Sequence, residues 1–299
     1  MTKTQHGIMA CVIGATTWGF NGVVSQFLLS HYPVEPAWLA SIRMCLAGLF
    51  LTLMVLPTKR AEIRQMLHDP VSLRHLVLFA LFGLILSQFS YLSAIKNSNA
   101  GTATVLQTLS VVLMSLYLAV RFHKRPTGRE ILSVFLAFGG VYLAATNGNP
   151  STMVISPLGL TWGLIGAIAC VTYPVLSQGL AANWGAAVAN GLGMMIGGVF
   201  LSLTLQVWTV WPALDLTGWL AVAFIVIIGT ALSFTAFVTG ISEIGPMKAT
   251  LLGTLEPVVA SVTSAIALGT TFHTVELIGY ACIIATVFII ILQKKPAIS

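Results

Sequence analysis

Charge is what this sequence has least of. Charged side chains make up 7% of its 299 residues and hydrophobic ones 57%, where an ordinary soluble domain carries about 25% charge. A surface wetted on all sides cannot be built from 14 Lys+Arg and 8 Asp+Glu, and a mean hydropathy of +0.94 agrees. Cysteine is scarce as well. Cys11, Cys45, Cys170 and Cys282 stand far apart inside apolar runs, with no CxxC and no Cys/His spacing, so they read as small packing residues rather than metal ligands. HExxH, a GxSx serine with a histidine, paired intramembrane aspartates and a P-loop are all missing. These absences argue against an enzyme and against ATP-driven pumping by this chain alone, and the reading calls for no cofactor and no metal.

Long apolar runs are what the sequence has instead. A bilayer core about 30 Å thick needs roughly 20 apolar residues in a helix. Ten such runs occur, at 8–29, 37–56, 75–95, 100–120, 127–146, 157–180, 186–208, 219–241, 247–268 and 275–292. Helices satisfy their own backbone in lipid, so the fold class expected is an all-α integral membrane protein with ten transmembrane helices. The first run is too long for a signal-peptide core and no small-residue cleavage site follows it.

The formal net charge of +6 invites a nucleic-acid reading, but the placement of the charges argues against one. With the N-terminus inside, the inner side receives Lys3; Lys59, Arg60, Arg64 and Arg74; Arg121, Lys124, Arg125 and Arg129; Lys248; and Lys294 and Lys295. Lys96 falls outside and Arg43 within the second run. This is the positive-inside pattern, with both termini cytoplasmic. Trp208, Trp211 and Trp219 flank the loop between runs seven and eight as an interfacial belt would. Thr127 and Glu130 form a capping box at the start of run five, and Tyr32-Pro33 and Pro246 mark breaks.

The two halves of the chain repeat. Ala103-Thr104-Val105-Leu106-Gln107-Thr108-Leu109 opens the fourth run and Ala249-Thr250-Leu251-Leu252-Gly253-Thr254-Leu255 the ninth. The same offset carries Glu130-Ile131 onto Glu276-Leu277, and Val23-Val24-Ser25-Gln26 resembles Val175-Leu176-Ser177-Gln178. Five spans per copy is an odd number, so the second copy enters the membrane from the opposite side. The predicted domains are 7–147 and 156–293, two five-helix inverted-topology repeats, an arrangement that permits alternating access around a central site.

The ten runs, the two copies, the A-T-x-L-x-T-L/E-P stretch ahead of Pro257 and the Glu276-Leu277-Ile278-Gly279-Tyr280 opening of run ten resemble the drug/metabolite transporter superfamily of the EamA-repeat type. The resemblance spans nearly the whole chain. It implies a bacterial inner-membrane carrier that moves a small-molecule substrate through the lipid bilayer, without nucleic acid. Within the superfamily the chain looks most like bacterial amino-acid exporters, those for aromatic amino acids included; the alternative is efflux of drugs or organic cations of the paraquat kind. Two positions depart from the family pattern. The Gly-Glu pair usual late in the fourth and ninth helices is replaced by Val120-Arg121-Phe122 and Leu268-Gly269-Thr270, and the proline present as Pro257 is Val111 in the first copy. Those positions are not carried over to the first copy.

Polar groups inside hydrocarbon are costly and are the natural substrate candidates. Run one offers Trp18, Asn21 and Ser25 on one face. Run six offers Trp162, Cys170, Tyr173 and Ser177, with Pro174 loosening the backbone as a hinge. Gln88 and Tyr91 in run three and Thr104 and Gln107 in run four can serve the ammonium and carboxylate of an amino acid without a net charge; threonines serve equally well as interhelical glue. The resemblance implies a cavity lined by runs one, three, four, six, eight and nine, with Thr230, Ser233 and Phe234 from run eight. Glu256, about 13 Å into run nine at ~1.5 Å per residue, is read as an ammonium or proton site or as a carboxylic acid bonded to a neighbouring helix. Pro257 beside it is read as a hinge. Arg43 lies near the end of its run and is read first as a snorkelling or structural arginine, then as a clamp for a substrate carboxylate. Gly139-Gly140 with Ala281 and Ala285 predict close approach of runs five and ten.

Overall fold

A computed structural model describes residues 2–121, 123, 127–149, 154–244, 249 and 252–291. Ten helical spans account for almost all of them: α1 (Lys3–His31), α2 (Pro36–His68), α3 (Pro70–Lys96), α4 (Ala100–Arg121), α5 (Gly128–Thr146), α6 (Pro157–Trp184), α7 (Ala186–Leu205), α8 (Leu216–Ile244), α9 (Leu255–Leu268) and α10 (Thr274–Ile291). There is no strand among the described residues. Length and composition qualify 7 helices to cross a membrane, and shorter apolar helices stand in the fifth, ninth and tenth runs. Side chains that point away from the bundle, such as Phe135, Phe138 and Ile266, are apolar and exposed, as a lipid-facing surface requires. Several expectations fall outside the described residues: Pro246, the opening of run nine, the Glu130 side chain of the capping box, and Lys124, Arg125, Lys248, Lys294 and Lys295.

The packing follows the repeat. Exchange of the copies takes α1 to α6, α2 to α7, α3 to α8, α4 to α9 and α5 to α10. The helix pairs obey it: α1 packs on α8 as α6 packs on α3, α1 on α9 as α6 on α4, while α2–α7 and α5–α10 pair with their own repeat mates. The chain is therefore an all-α, ten-span membrane fold in two inverted five-helix repeats. Where α5 crosses α10, a Cβ on Gly140 would stand 2.7 Å from the Gly279 carbonyl oxygen and one on Gly279 2.6 Å from that of Gly140. The close approach expected of these runs thus rests on a glycine pair, with neighbouring Gly139 facing open space.

Two irregularities recur at repeat-related places. The first is a break. α4 is helical over Ala100–Gln107, turns at Thr108 and Leu109, and resumes at Ser110–Arg121. The N–H of Thr108 (φ −65°, ψ −15°) is shared between the carbonyls three and four residues back, and those of Leu109 and Val111 bond three residues back, which tightens the turn. The offset that joins Ala103 to Ala249 takes Thr108 to Thr254. There (φ −67°, ψ −6°) run nine turns before its second half starts at Leu255. Pro257 consequently lies in a first turn, where a missing N–H costs no hydrogen bond. The expected mid-helix kink is a helix break whose first turn holds the proline.

The second irregularity is a π-helical segment, Phe79–Ile85 in α3 and Ile227–Leu232 in α8. The same offset relates Gly83 to Gly229. In α8 the widened turn exposes carbonyls that hydroxyls then reach: Thr230 donates to Ile225 O at 2.7 Å and Ser233 to Ile228 O at 2.6 Å, each five residues back. Both residues were expected to face a substrate. They serve their own backbone instead.

The ends of the spans add two details. α2 runs a full three turns past its expected stop, through Pro57 and a bend at Lys59 (φ −121°, ψ 20°), which lays the basic segment with Arg60 and Arg64 beyond the apolar one. At the Lys96 end, Trp38, Trp211 and Trp219 form a ring cluster with centroids 5.6 to 6.4 Å apart. Beside it the Tyr32 hydroxyl donates to the Asp215 carboxylate at 2.6 Å, and Asp215 also accepts from Gly218 N–H at 2.8 Å, capping α8. The Tyr32 bond foremost, then the Gly218 N–H, hold the Asp215 carboxyl below its usual range. A depressed carboxyl stabilises the fold above its unfolded value and stops doing so as pH falls through the folded one. Asp215→Asn should lower the neutral plateau of a melting-temperature-against-pH curve and flatten its acid side, the two curves converging at low pH; an unaltered neutral plateau and acid limb would contradict this.

Candidate functional site

A cavity of ≈ 180 Å³ lies at the centre, where the two repeats meet. A lone water occupies about 30 Å³ of liquid, so the space suits a small solute. Its wall is drawn from α1 (Trp18, Asn21), α2 (Arg43), α3 (Ser87, Gln88, Tyr91), α4 (Thr104, Gln107, Thr108, Ser110, Val111), α6 (Cys170, Tyr173, Pro174), α8 (Phe234, Phe237, Ile241) and run nine (Gly253, Thr254, Glu256, Pro257). Both helix breaks open onto it, and the residue just past each turn by the same count, Ser110 in one copy and Glu256 in the other, faces in. Glu256 stands in the first turn of α9, where the helix dipole favours a negative charge.

One part of the wall is aromatic. The Trp18 ring meets Phe234 at 4.7 Å and Phe237 at 4.6 Å, and Tyr173 meets Phe234 at 5.7 Å. The wall is also polar and underused. Trp18 Nε1, Asn21 Oδ1, Gln88 Nε2 and Arg43 Nε are buried and meet no partner among the described residues, while the Tyr91 hydroxyl on α3 lies within reach of the Glu256 carboxyl. Buried polar groups are nearly always paired, so such a cluster around one cavity describes a surface shaped for a polar ligand. Tyr91, Arg43 and Glu256 all line this one space.

The structure brings Trp18, Asn21, Gln88, Tyr91, Thr104, Gln107, Tyr173, Phe234, Glu256, Pro174 and Pro257 to this one cavity. Ser25, Thr230 and Ser233 are not part of its wall, and two further expected residues, Trp162 and Ser177, lie elsewhere. Trp162 shares a helical stripe with Tyr173 but sits roughly 16 Å away along the axis at ~1.5 Å per residue; its ring packs on Phe89 at 5.1 Å. Ser177, a turn beyond Tyr173 on the other side, donates to Pro174 O at 3.3 Å. Thr104 lines the cavity with its hydroxyl committed to Ala100 O and Gly101 O, both at 2.9 Å, so it is neither glue nor a free donor. Arg43 does not snorkel: it is 1% exposed, and it adds α2 to the expected set of lining helices. Phe237 and Ile241 were not anticipated, although both fall on the Phe234 face at helical spacing.

One turn from the cavity on the Lys96 side, α1, α4 and α9 are tied together. The Gln26 carboxamide accepts from Ala100 N–H at 2.8 Å and Ser264 Oγ at 3.0 Å, and donates to Thr270 Oγ1 at 3.1 Å. Beyond it, the buried Tyr280 hydroxyl donates to Glu276 and accepts from Thr102 Oγ1 at 2.5 Å, and Glu276 also accepts from the His273 N–H at 3.2 Å. At the Lys3 end α1 meets α8 through an exposed His6–Glu243 pair at 2.8 Å. Among the described residues the Lys96 side thus carries the larger network of interhelical hydrogen bonds. Three interhelical bonds of about 0.6 kcal/mol each in a membrane set the expected result for Gln26→Leu. In a cysteine-free background, Thr104→Cys should react roughly tenfold faster with an impermeant thiol reagent added from the Lys96 side. An unchanged rate would mean that Gln26 does not hold this face shut.

Ten spans, an inverted repeat and a central polar–aromatic cavity define the class of protein, a membrane transporter of the repeat-swapped kind. The EamA-like transporter family matches this sequence twice, over residues 5–146 and 157–292, and the chain belongs to that family. It is 30% identical over 295 residues to the uncharacterized inner membrane transporter YicL of Salmonella typhimurium, covering 99% of this chain and 98% of the relative. It is 25% identical to the uncharacterized transporter YyaM of Bacillus subtilis, over 87% of each chain, and to the uncharacterized inner membrane transporter YedA of Escherichia coli, over 94% of this chain and 91% of that one. A solved crystal structure shares the fold at TM-score 0.61 and 19% identity, covering 96% of this chain and 95% of its own.

Proposed function

We propose that this transporter exports amino acids, aromatic and other neutral ones among them, or similar small amphipathic metabolites across the bacterial inner membrane by alternating access. The observation that carries the reading is the central cavity: both repeats build it at their broken helices, and it sets aromatic rings against unpaired polar groups and one acid. Residues 7–147 and 156–293 act as the two rocking units. The clustering of Lys and Arg on one side puts both termini in the cytoplasm, and the inner-membrane names of the relatives support the location. Release of the Gln26 network would open the Lys96 side, taken as the outer one.

The protein reconstituted in liposomes and offered a panel of labelled amino acids and organic cations, with and without a pH gradient, tests this. Saturable uptake of amino acids supports it. A second reading, efflux of organic cations, draws on the Trp18, Phe234 and Phe237 rings, whose faces attract such ions. Uptake of paraquat-like cations without any amino acid would put it first.

A further inference from the structure

We propose that Arg43 is an anion-binding group of the cavity and that the cargo docks a carboxylate on it, which makes the transported solute a zwitterion rather than a bare cation. The inference rests on the transport reading above and names the substrate class of the same site.

Arg43 sits two turns into α2, is 1% exposed and lines the cavity. A guanidinium carries five N–H donors in a planar fork. Here one hydrogen bond engages it, from Nη2 to the Gln88 carbonyl at 3.1 Å, and Nε has no partner among the described residues. None of the ion pairs found among those residues includes Arg43, although Glu256 lines the same space. A buried charge without a counter-ion is costly, and a carboxylate taking the free edge of the fork in bidentate fashion would remove that cost.

A scaffold role accounts poorly for this arrangement. α7, the repeat mate of α2, carries no Lys or Arg and lends nothing to the cavity wall, so the architecture does not demand a charge there. Glu256 is equally one-sided, since its repeat mate is Ser110. One copy therefore contributes a guanidinium and the other a carboxyl group, with the Tyr91 phenol lining the same cavity. An α-amino acid complements both charges. An organic cation would satisfy Glu256 and leave Arg43 buried and unpaired.

The experiment uses the full chain, purified and reconstituted. Each of a panel of neutral amino acids is compared with its decarboxylated amine and its deaminated acid. Wild type should take up the best amino acid at least about tenfold better than the matching amine, the scale of one charge-assisted bond. Arg43→Gln should erase that preference by losing the amino acid and keeping the amine, and Arg43→Lys should restore part of it. A variant that loses acid and amine alike has lost structure, and the proposal falls with it. A wild-type arm needs no variant: the thermal shift in detergent should be larger with the amino acid than with its amine. Equal shifts and equal uptake of the two would overturn the role of Arg43 while leaving a transporter in place. Uptake of neither, by any member of the panel, would overturn the amino-acid reading itself and Arg43's part in it.

Discussion

Glu256→Gln should lower amino-acid uptake in liposomes by about 100-fold, within the range for removing one partner of a buried charge pair, while melting temperature and yield stay close to wild type. Glutamine keeps the shape and the hydrogen-bonding reach of glutamate, so the packing around α9 is preserved. What disappears is the charge. Glu256 projects into the cavity from the first turn after the Thr254 break, and no ion pair found among the described residues engages it. Its carboxyl group is therefore available to a ligand ammonium or to a proton. The loss of the favourable interaction with the α9 N-terminus is worth about 0.5 kcal/mol, too little to unfold the bundle. Any acceleration by a pH gradient should vanish in the same variant. Undiminished, still gradient-driven transport by Glu256→Gln would remove this residue from both substrate binding and coupling.

The spans were legible because lipid imposes one simple requirement, the near absence of charge over about 20 residues. The repeat was legible from short matches at one fixed offset. The breaks at Thr108 and Thr254 stand inside those very matches, yet nothing local distinguishes a threonine that turns a helix from one that continues it; the repetition of the break at the same offset is the signal. The π-helical segments leave no trace in apolar periodicity, and the Gly83–Gly229 pairing at that offset is their one mark. The snorkelling reading of Arg43 failed because distance from the end of a run measures depth and says nothing of direction. The carbonyl of Gln88 on α3 settles that direction. Trp162 failed for the complementary reason: the helical stripe gave its direction correctly and ignored depth. The Gln26 and Glu276 networks join residues from distant parts of the chain, and no local pattern announces such pairings.

The glycines of the π-helical segments allow the packing of α1 on α8 to be tested by its sign. A Cβ on Gly229 would collide with the Asn21 carboxamide, whose buried Oδ1 and Cγ lie nearest to it. Asn21 is 3% exposed and lines the cavity, so it cannot retreat without filling that space. Gly229→Val should therefore cost about 3 kcal/mol, the upper part of the usual range for overpacking, and should lower transport in whatever protein survives purification. At Gly83 a Cβ would meet the Phe79 ring edge at 2.8 Å. Alanine adds one methyl against that single ring edge, a milder clash than the 2.1 Å approach to Asn21 Oδ1 at Gly229, so Gly83→Ala should lose less. At Gly139 nothing lies within 4 Å, and the intrinsic helix preference for alanine, worth about 1 kcal/mol over glycine, is unopposed. Gly139→Ala should melt at or above the wild-type temperature. The order expected from thermal unfolding in detergent is Gly229→Val lowest, Gly83→Ala between, and Gly139→Ala highest. If Gly229→Val melted with Gly139→Ala, the close seating of α8 on Asn21, and with it the aromatic wall that α1 and α8 build together, would be wrong.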